Sequence, residues 1–289
     1  MPGGVLNLYK PVGVTSYQVV EKVKTVLGTK TGHAGTLDPF ARGVLLVCWG
    51  RATRLSPYLQ ELTKIYRAKI RLGITTDTFD VKGEVTAVNF ADLSAEDLQA
   101  VIPKFKGNII QPIPSFSASK YKGKPRYRYA REGMNIPAKN KKVLISRIEM
   151  INFESGLFPQ AELVVECSSG TYIRSLAQEI GQELEVGSYL ASLRRDKIGR
   201  FVWENSLDVF QAEINRELII RSSLPPADAL YWLEKVQLDS SQANRFSHGN
   251  WINWQLSFNS SLVRVFRGDC FLGLGEIKED RLKPILVWE

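Results

Sequence analysis

Cysteine and histidine are scarce in this sequence, which has three cysteines and two histidines among 289 residues. Cys48, Cys167 and Cys270 are odd in number and far apart, so they form neither a disulfide framework nor the spacing of a metal site. With only His33 and His248 as imidazoles, a zinc site is not expected either. These absences favour a protein of the reducing cytoplasm whose chemistry uses side chains alone, without a metal or a cofactor.

Long apolar runs are also missing. No stretch approaches the length that crosses a membrane, and Met1–Lys10 lacks the apolar centre of a signal peptide. A membrane partner is therefore not expected. The hydrophobic content of 44% and the charged content of 24% are ordinary for a globular protein. The length allows one large domain or two.

Positive charge, by contrast, is abundant. The net charge is +8 and the isoelectric point is about 9.3, which indicates a polyanionic partner such as nucleic acid. In Lys120–Lys142, nine basic residues and three interleaved tyrosines stand against one acid, Glu132. This mixture suits RNA, because cations bind phosphates and tyrosine stacks on bases; a solvated, highly charged loop is the alternative. The predicted RNA-binding residues are Lys120, Lys122, Lys124, Arg126, Tyr127, Arg128 and Arg131.

The stretch Gly32–Pro39 places one carboxylate, Asp38, on a glycine-rich loop. Proline clashes with the residue before it, so Asp38 is held in an extended conformation. The apolar run Val44–Trp49 follows at once and can anchor the loop in the core. Function is commonly carried by loops on rigid scaffolds, so Asp38 is a candidate catalytic residue. An Asp-Pro turn without a function is the alternative.

Two further candidates lie on predicted elements. Ile65–Leu72 alternates as a strand, and Tyr66 places a hydroxyl on the apolar side of that strand, which makes it a candidate site residue. A tyrosine that only packs in the core is the alternative. Arg174 falls in the first turn of a helix predicted from Tyr172 to Leu184, where the helix dipole disfavours a cation. An arginine there needs a nearby carboxylate, unless it is simply a surface residue.

The remaining pattern predicts how the chain is divided. Helices are predicted over residues 16–27, 188–195 and 206–220. Ser16 is the expected N-cap of the first helix and Gly28 its expected end. Leu224–Pro226 interrupts the pattern and predicts a domain boundary, after which only short strand-like runs follow.

Six segments now support a resemblance, because they occur in the same order in TruB-type tRNA pseudouridine synthases. From Asn7 to about Phe201 they read NLYKPVGVTS, GHAGTLDPFARGVL, KIYRAKIRLGITTDTFDVKGEV, QPIPSFSASKYKGKPRYRYAREG, CSSGTYIRSLAQEIG and SLRRDKIGRF. The resemblance implies an α+β pseudouridine-synthase fold with a mixed, mainly antiparallel sheet flanked by helices. It also implies a catalytic domain over 1–223 with a mobile, RNA-clamping basic insert at about 119–147. A small β-rich, PUA-like RNA-binding domain would occupy 224–289.

The resemblance also implies an activity. The protein would convert uridine 55 in the T-stem loop of tRNA into pseudouridine, after flipping the nucleotide out, and would act as a monomer without a cofactor. Asp38 would be the nucleophile, Arg174 would keep it ionised, and Tyr66 would stack on the uracil and help remove the C5 proton. The residues matching positions that line the site or hold the nucleotide are His33, Tyr172 and Leu193, and Lys10 matches a lysine near the pocket.

Two other functions remain open from the sequence. A non-catalytic RNA-binding or tRNA-folding protein could keep the same scaffold, although Asp38, Tyr66 and Arg174 are all present. An RNA N-glycosidase would need a second carboxylate, for which Asp77 or Asp80 could be nominated. We otherwise expect these two acids to support the structure of their own loop.

Overall fold

A computed structural model describes residues 3–90, 92–211, 213–254 and 261–288. Its strands are, in chain order, β1 (Gly3–Lys10), β2 (Thr31–His33), β3 (Arg42–Gly50), β4 (Lys64–Leu72), β5 (Ile74–Thr76), β6 (Val85–Val88), β7 (Gly107–Pro112), β8 (Lys120–Tyr121), β9 (Lys124–Pro125), β10 (Asn140–Glu154), β11 (Gln160–Cys167), β12 (Ser188–Ile198), β13 (Phe201–Val202), β14 (Leu207–Asp208), β15 (Ser223–Leu224), β16 (Glu234–Gln237), β17 (Ile252–Asn253), β18 (Leu262–Arg267), β19 (Cys270–Lys278) and β20 (Arg281–Val287).

The helices are shorter than the strands and lie around them. The α-helices are α1 (Ser16–Leu27), α2 (Ser56–Gln60), α3 (Ala95–Val101), α4 (Arg126–Arg131), α5 (Ile173–Glu183), α6 (Arg216–Arg221), α7 (Pro226–Ala229) and α8 (Ser240–Ser247). Single 3-10 turns occupy Arg51–Leu55, Ile102–Phe105 and Trp203–Asn205. No helix in the described ranges is long and apolar enough to cross a membrane.

A mixed sheet forms the larger part of the molecule. Within the described residues it has eleven strands, in the main order β14-β1-β3-β12-β4-β11-β10-β7. Five neighbouring pairs on this path are antiparallel, whereas β3 with β12 and β1 with β14 are parallel. The expected mixed, mainly antiparallel sheet is thus confirmed. Because β12 lies between β3 and β4, side chains of β12 and β4 and of the loop before β3 can reach one cavity.

Helices cover the apolar sides of this sheet. Helix α5 packs on β4 and β11, and α1 packs on β1 and β3. The end of α1 at Gly28, with φ of 63°, is as expected, but the N-cap is Thr15 and not Ser16. The Thr15 hydroxyl accepts a hydrogen bond from the Gln18 amide. The Ser16 hydroxyl therefore does not cap the helix and can form a hydrogen bond elsewhere.

The helix predicted over residues 188–195 is wrong, because this segment is strand β12 in the middle of the sheet. Two bulges interrupt its pairing with β4, one between Leu190 and Ser192 and one between Arg195 and Lys197. Each bulge inserts a residue and so breaks the two-residue alternation by which a strand is recognised. The buried positions then fall at 188, 190, 193, 195 and 198, which is not the regular two-residue alternation expected of a strand.

The helix predicted over residues 206–220 is also wrong for most of its length. Leu207–Asp208 adds a short parallel strand beside β1, and helix α6 begins only at Arg216. The Asp208 carboxylate accepts from the Phe210 amide at 2.8 Å, and Asn215 caps α6 by accepting from the Leu218 amide. Such side-chain bonds to the backbone compete with a continuous helix.

A second, five-stranded sheet in the order β16-β18-β19-β20-β17 forms the C-terminal part of the described chain. It confirms the expected small β-rich, PUA-like domain. Its Leu274 and Leu286 share one apolar cluster with Val5, Val44 and Leu46 of the large sheet, so the two parts are packed together. The boundary between residues 223 and 224 stays a prediction.

Residues 120–139 of the basic segment lie between β7 and β10, whereas Asn140, Lys141 and Lys142 already belong to β10. The segment contains the two-residue strands β8 and β9, which pair with each other, followed by helix α4. Glycines and prolines interrupt this segment, and helix α4 spans only Arg126–Arg131. The chain returns to the large sheet at Asn140, where β10 pairs with β7.

Candidate active site

The loop that carries Asp38 is fixed at both ends by the sheet. Strand β2 pairs with β3, and the Ala34 amide then donates to the Leu46 carbonyl at 2.8 Å. At the other end Gly43 has φ of 109°, and a Cβ there would lie 2.3 Å from the Arg195 carbonyl oxygen. Only glycine fits this contact, which lets β3 approach β12 closely.

Asp38 and Arg174 form a two-point ion pair. Arg174 Nε lies 3.1 Å from Asp38 Oδ2, and Nη2 lies 3.4 Å from Oδ1. The planar guanidinium thus faces both carboxylate oxygens. The arginine at the start of α5 has the carboxylate partner that its position required, and α5 itself begins where it was predicted.

The rest of the Arg174 guanidinium is also bonded. Nη1 donates to the Thr78 carbonyl at 3.2 Å and to Asp80 Oδ2 at 3.3 Å, and Nη2 donates to the Phe116 carbonyl at 2.7 Å. Arg174 is only 5% exposed. Two carboxylates and two carbonyls therefore hold one buried cation in a single orientation.

Asp38 lies in a cavity of about 330 Å³. Burial in this cavity raises the pKa of the Asp38 carboxyl, and the Arg174 guanidinium is the strongest influence that opposes the rise. About a third of the Asp38 side chain remains accessible, whereas Arg174 behind it is buried. The carboxylate can therefore be reached by a molecule that enters the cavity.

Tyr66 lines the same cavity from β4 and is 8% exposed. Burial raises the pKa of its phenol, and the neighbouring Arg195 guanidinium opposes this rise. The phenol is consequently neutral in the free protein at physiological pH. Leu193 of β12 and Tyr172, the N-cap residue of α5, complete this part of the lining.

Lys10 and His33 lie outside the lining of the cavity. Lys10 is fully buried, and its Nζ donates to the carbonyls of Pro11, Val14 and Pro39 at 2.9, 2.6 and 3.3 Å. It ties Pro39, the residue after Asp38, to the end of β1. Burial lowers the pKa of Lys10 to about 8 and also lowers that of His33. Lys10 therefore contacts the loop backbone and not the cavity.

Three residues of this site were missed by sequence reasoning. Arg195 is 1% exposed and donates to the carbonyls of Val44, Gly35 and Thr36 at 2.8, 3.1 and 3.4 Å. Ser16 exchanges two hydrogen bonds with Leu37, the residue before Asp38. Gln111 is fully buried and accepts from the Tyr172 amide at 3.1 Å.

The sequence did contain a signal for Arg195, which lies inside one of the six segments as the second arginine of SLRRDKIGRF. An Arg-Arg pair looks like a surface feature until the segment is known to be a strand. Arg194 then points to the outer face, where its guanidinium lies 4.5 Å from the Trp203 ring, and Arg195 points inward.

The predicted RNA-binding residues differ in exposure. Lys120, Lys122, Lys124, Arg128 and Arg131 are exposed, and Tyr127 is half-buried. Arg126, in contrast, is 2% exposed, and its Nη2 donates to the Pro137 carbonyl at 2.7 Å. Its contact lies inside the basic segment, which it helps to hold together. In the described residues, no group of three or more His, Cys, Asp and Glu side chains is arranged to hold a metal ion.

Solved structures share this fold. The chain matches a Cbf5–Nop10–Gar1 complex with a TM-score of 0.72 and 26% identity, over 99% of this chain and 84% of the other. It matches a chain of an H/ACA RNP bound to a substrate RNA containing 2′-deoxyuridine with the same TM-score and 24% identity, over 99% and 85%. The likeness extends over both sheets, since almost the whole chain is covered.

Sequence comparison gives the class of protein. The model of the TruB family pseudouridylate synthase N-terminal domain matches residues 22–173, and that of the pseudouridine synthase II TruB C-terminal region matches residues 235–287. The chain is thus a pseudouridylate synthase, an isomerase by class.

Relatives that match almost the whole chain show which family of pseudouridylate synthases it belongs to. tRNA pseudouridine synthase B of Clostridium kluyveri is 38% identical over 99% of both chains. That of Chromobacterium violaceum is 37% identical over 98% of this chain and 93% of its own. The chain belongs to the TruB family.

Proposed function

We propose that this protein converts uridine 55 in the T loop of tRNA into pseudouridine, with Asp38 as the nucleophile. The observation that carries the proposal is the Asp38–Arg174 pair, which places an accessible carboxylate against a buried, fully bonded guanidinium in the cavity. The relatives named tRNA pseudouridine synthase B support tRNA as the substrate. The sequence resemblance supports position 55.

The Asp38 carboxylate must be ionised to act as a nucleophile. Burial opposes ionisation and Arg174 favours it, so the guanidinium keeps the reactive form available. Asp38 then attacks the nucleotide, and the N-glycosidic bond breaks. The uracil turns, a new C–C bond forms between C5 and the sugar, and the bond between Asp38 and the nucleotide breaks, which regenerates the carboxylate. The C5 proton leaves, and N1 gains a proton. Substrate and product contain the same atoms.

Tyr66 and Arg195 act on the base in this proposal. The ring of Tyr66 stacks on the uracil, which holds the base while it is detached from the sugar. Because the phenol is neutral in the free protein, its hydroxyl must give up its own proton, to N1 of the detached uracil, before it can accept the proton that leaves C5. The nearby Arg195 cation stabilises the phenolate that exists between these two transfers.

The substrate must be opened before it can react. A base in the folded T loop is unreachable, and flipping it out costs a few kcal/mol. Phosphate contacts to the exposed cations of the basic insert, Lys120, Lys122, Lys124, Arg128 and Arg131, offset this cost. Specificity comes mainly from the shape of the T-stem loop. The β-rich domain over 224–289 adds a further RNA contact.

The structure disfavours the N-glycosidase alternative. Neither Asp77 nor Asp80 lines the cavity. Asp80 is bonded to Arg174, and its second oxygen accepts from the Thr78 hydroxyl and the Lys82 amide, both at 2.9 Å. Asp77 accepts from a backbone amide of its own loop at 2.8 Å. Neither acid is placed to activate a water for hydrolysis.

We further propose that the protein acts as a monomer in the cytoplasm. The free thiols of Cys48, Cys167 and Cys270 suit a reducing compartment.

The test is direct. Unmodified tRNA made by transcription is incubated with the protein, and pseudouridine is mapped along the product. We expect pseudouridine at position 55 alone and no free uracil. Release of uracil would show hydrolysis, and unchanged tRNA that is nevertheless bound would show a non-catalytic RNA-binding protein.

A further inference from the structure

One part of the cavity wall carries lysines that the reaction above does not use. Lys64, at the start of β4, and Lys141, on β10, line the cavity together with the loop 168–171 before α5. Within residues 3–90, 92–211, 213–254 and 261–288, neither lysine forms a salt bridge within 4.0 Å. Cations that line a cavity without a carboxylate partner are suited to an anionic ligand.

Lys64 is held firmly but keeps one donor. It is 5% exposed, and its Nζ donates to the carbonyls of Gln60 and Leu62 at the end of α2. An ammonium has three hydrogens, so one remains for a molecule in the cavity that Lys64 lines. The two carbonyls accept hydrogen bonds but carry no net charge, so they do not neutralise the positive charge of the Lys64 ammonium.

Lys141 reaches the same region from a different strand. Within the described chain its Nζ donates one long hydrogen bond, 3.4 Å to the Ser169 carbonyl, so most of its donor capacity is free. A Cβ added to Gly170 would lie 1.7 Å from Lys141 Nζ. Glycine at position 170, with φ of 76°, thus leaves the room in which the ammonium lies.

The charges around Lys64 add up to an excess of positive charge. Arg195 of β12 and Lys141 of β10 are cations, whereas Glu61 of the α2 end is an acid and Cys167 of β11 a thiol whose pKa burial raises to about 11. Glu61 Oε2 already accepts from the Ser169 hydroxyl at 2.6 Å. Burial, reinforced by Arg195, lowers the pKa of Lys64 to about 8, and the opposing influence of Glu61 is the weaker one.

We propose that Lys64 and Lys141 together bind a backbone phosphate next to the nucleotide that reacts with Asp38. The ligand class is a phosphodiester of an RNA strand. Arg174 donates to five protein oxygens, which is its full donor capacity. Arg195 donates to three carbonyls and lies beside the Tyr66 hydroxyl, so its charge is directed at the loop of Asp38 and at Tyr66. The two lysines are the cations of this wall whose donors are not directed at either group. The inference rests on the proposed function, since it takes the RNA strand to be the molecule that enters the cavity.

The test uses RNA hairpins of the T-stem loop in which one phosphate, 5′ or 3′ of the target uridine, is replaced by a neutral methylphosphonate. Affinity is measured by equilibrium titration for wild type, Lys64→Gln and Lys141→Gln. We expect one of the two substitutions to weaken wild-type binding by about 10- to 100-fold, the usual range for a hydrogen bond to a charged group. The same methylphosphonate should lower the affinity of Lys64→Gln and of Lys141→Gln by a much smaller factor, because each variant has already lost part of the phosphate site.

Lys69→Gln is the matched control, because Lys69 lies on the same strand but on the opposite face, with Glu162 at 3.9 Å. It should respond to the methylphosphonate as wild type does. Equal losses in wild type and in both cavity variants would overturn the phosphate site. If Lys64→Gln fails to fold, Lys141→Gln, whose half-buried side chain supports less structure, decides the outcome.

The pH dependence gives a second readout. Since the pKa of Lys64 is about 8, wild-type affinity should fall as pH rises from 7 to 9.5, and Lys64→Arg should flatten this fall because arginine keeps its charge. Lys10 titrates in the same range but is common to both proteins, so the difference between the profiles reports Lys64. Identical profiles would contradict the proposal.

The experiment distinguishes failure of the proposed function from failure of the proposed phosphate site. If the wild type forms no pseudouridine in the unsubstituted hairpin, the proposed reaction is wrong, whatever the binding data show. If the wild type is active and the methylphosphonate losses are equal in all proteins, only the phosphate site is wrong.

Discussion

The Ser16 hydroxyl donates to the Leu37 carbonyl at 3.0 Å and accepts from the Leu37 amide at 2.9 Å. One side chain of α1 thus satisfies both backbone groups of the residue that precedes Asp38. The bond pair is buried and joins positions 21 apart in sequence. It fixes the loop that carries Asp38 to the helix, so the position of the carboxylate depends on a residue outside the cavity lining.

Ser16→Ala should therefore lower kcat more than tRNA affinity. The loss of two buried hydrogen bonds costs on the order of 1–3 kcal/mol of stability. A displaced reactive group costs up to about 100-fold in kcat. Thr15→Ala is the control, since it removes the N-cap of the same helix, at about 1 kcal/mol, without touching the loop. Equal kcat values for the two variants, measured by single-turnover assay, would show that Ser16 does not position Asp38.

Arg174→Lys keeps the positive charge but loses the planar fork that faces both oxygens of Asp38. We expect kcat to fall by about 100-fold or more while the protein stays folded, as judged by its melting temperature. Arg71→Lys, on the outer face of β4, serves as the control because its contacts are to Phe158 and Gln160. Near-normal turnover of Arg174→Lys would show that the two-point contact of Arg174 with Asp38 is not needed for the reaction.

The neutral variant Arg174→Gln tests the electrostatic role separately. Asp38 reacts only when it is ionised, so activity is lost as pH falls through its pKa. Burial raises that pKa, and Arg174 opposes the rise. Without the guanidinium, the acid limb of the kcat/KM profile should move to higher pH. An unshifted limb in Arg174→Gln would mean that Arg174 does not control the ionisation of Asp38.

Tyr66→Phe preserves the stacking ring and removes the hydroxyl. We expect normal tRNA affinity and a reaction that stops after the glycosidic bond is cleaved, because the C5 proton has no acceptor. Rapid-quench analysis should then show cleaved nucleotide accumulating without pseudouridine. Tyr189→Phe, on β12, is the matched control outside the cavity lining. Full pseudouridine formation by Tyr66→Phe would rule out the phenol as the acceptor.

The basic insert should contribute to affinity through phosphates. Changing Lys120, Lys122, Lys124 and Arg128 together to Gln should reduce the slope of log affinity against log salt by about 2 to 3 units, for every tRNA alike. Arg126 is left intact, since its buried guanidinium holds Pro137 and its removal would disturb the fold of the segment.

A control with the same change in net charge isolates the effect of position. Gln at the exposed lysines Lys30, Lys82, Lys106 and Lys278 removes four charges elsewhere on the surface. Affinity is measured across a salt series for both variants and the wild type. A slope that decreases equally in the two variants would show that net charge, and not the insert, binds the RNA.

Much of this site could be predicted where the sequence pattern is uninterrupted. β4 alternates without a break, which placed Tyr66 on the inner face. α5 follows a regular helical pattern, and a cation in its first turn required a carboxylate, which the structure shows to be Asp38. The roles of these residues in the reaction stay predictions until the variants are measured.

What could not be predicted depends on contacts between distant segments. The bulges of β12 conceal a strand, so Arg195 could not be placed in the cavity. Ser16 was expected to cap its own helix, but Thr15 does so, and Ser16 bonds to a loop that only the fold brings near. Arg126 looks like its exposed neighbours in the sequence, yet tertiary packing buries it.

The most direct test of the account is the activity of Asp38→Asn. Asparagine keeps the shape of the side chain and removes the nucleophile, so the rate of pseudouridine formation in unmodified tRNA should fall on the order of 10⁶-fold. tRNA affinity should remain within about threefold of wild type, because the phosphate contacts lie elsewhere. Pseudouridine at position 55 above a trace level in the Asp38→Asn reaction would contradict the assignment of Asp38 as the nucleophile.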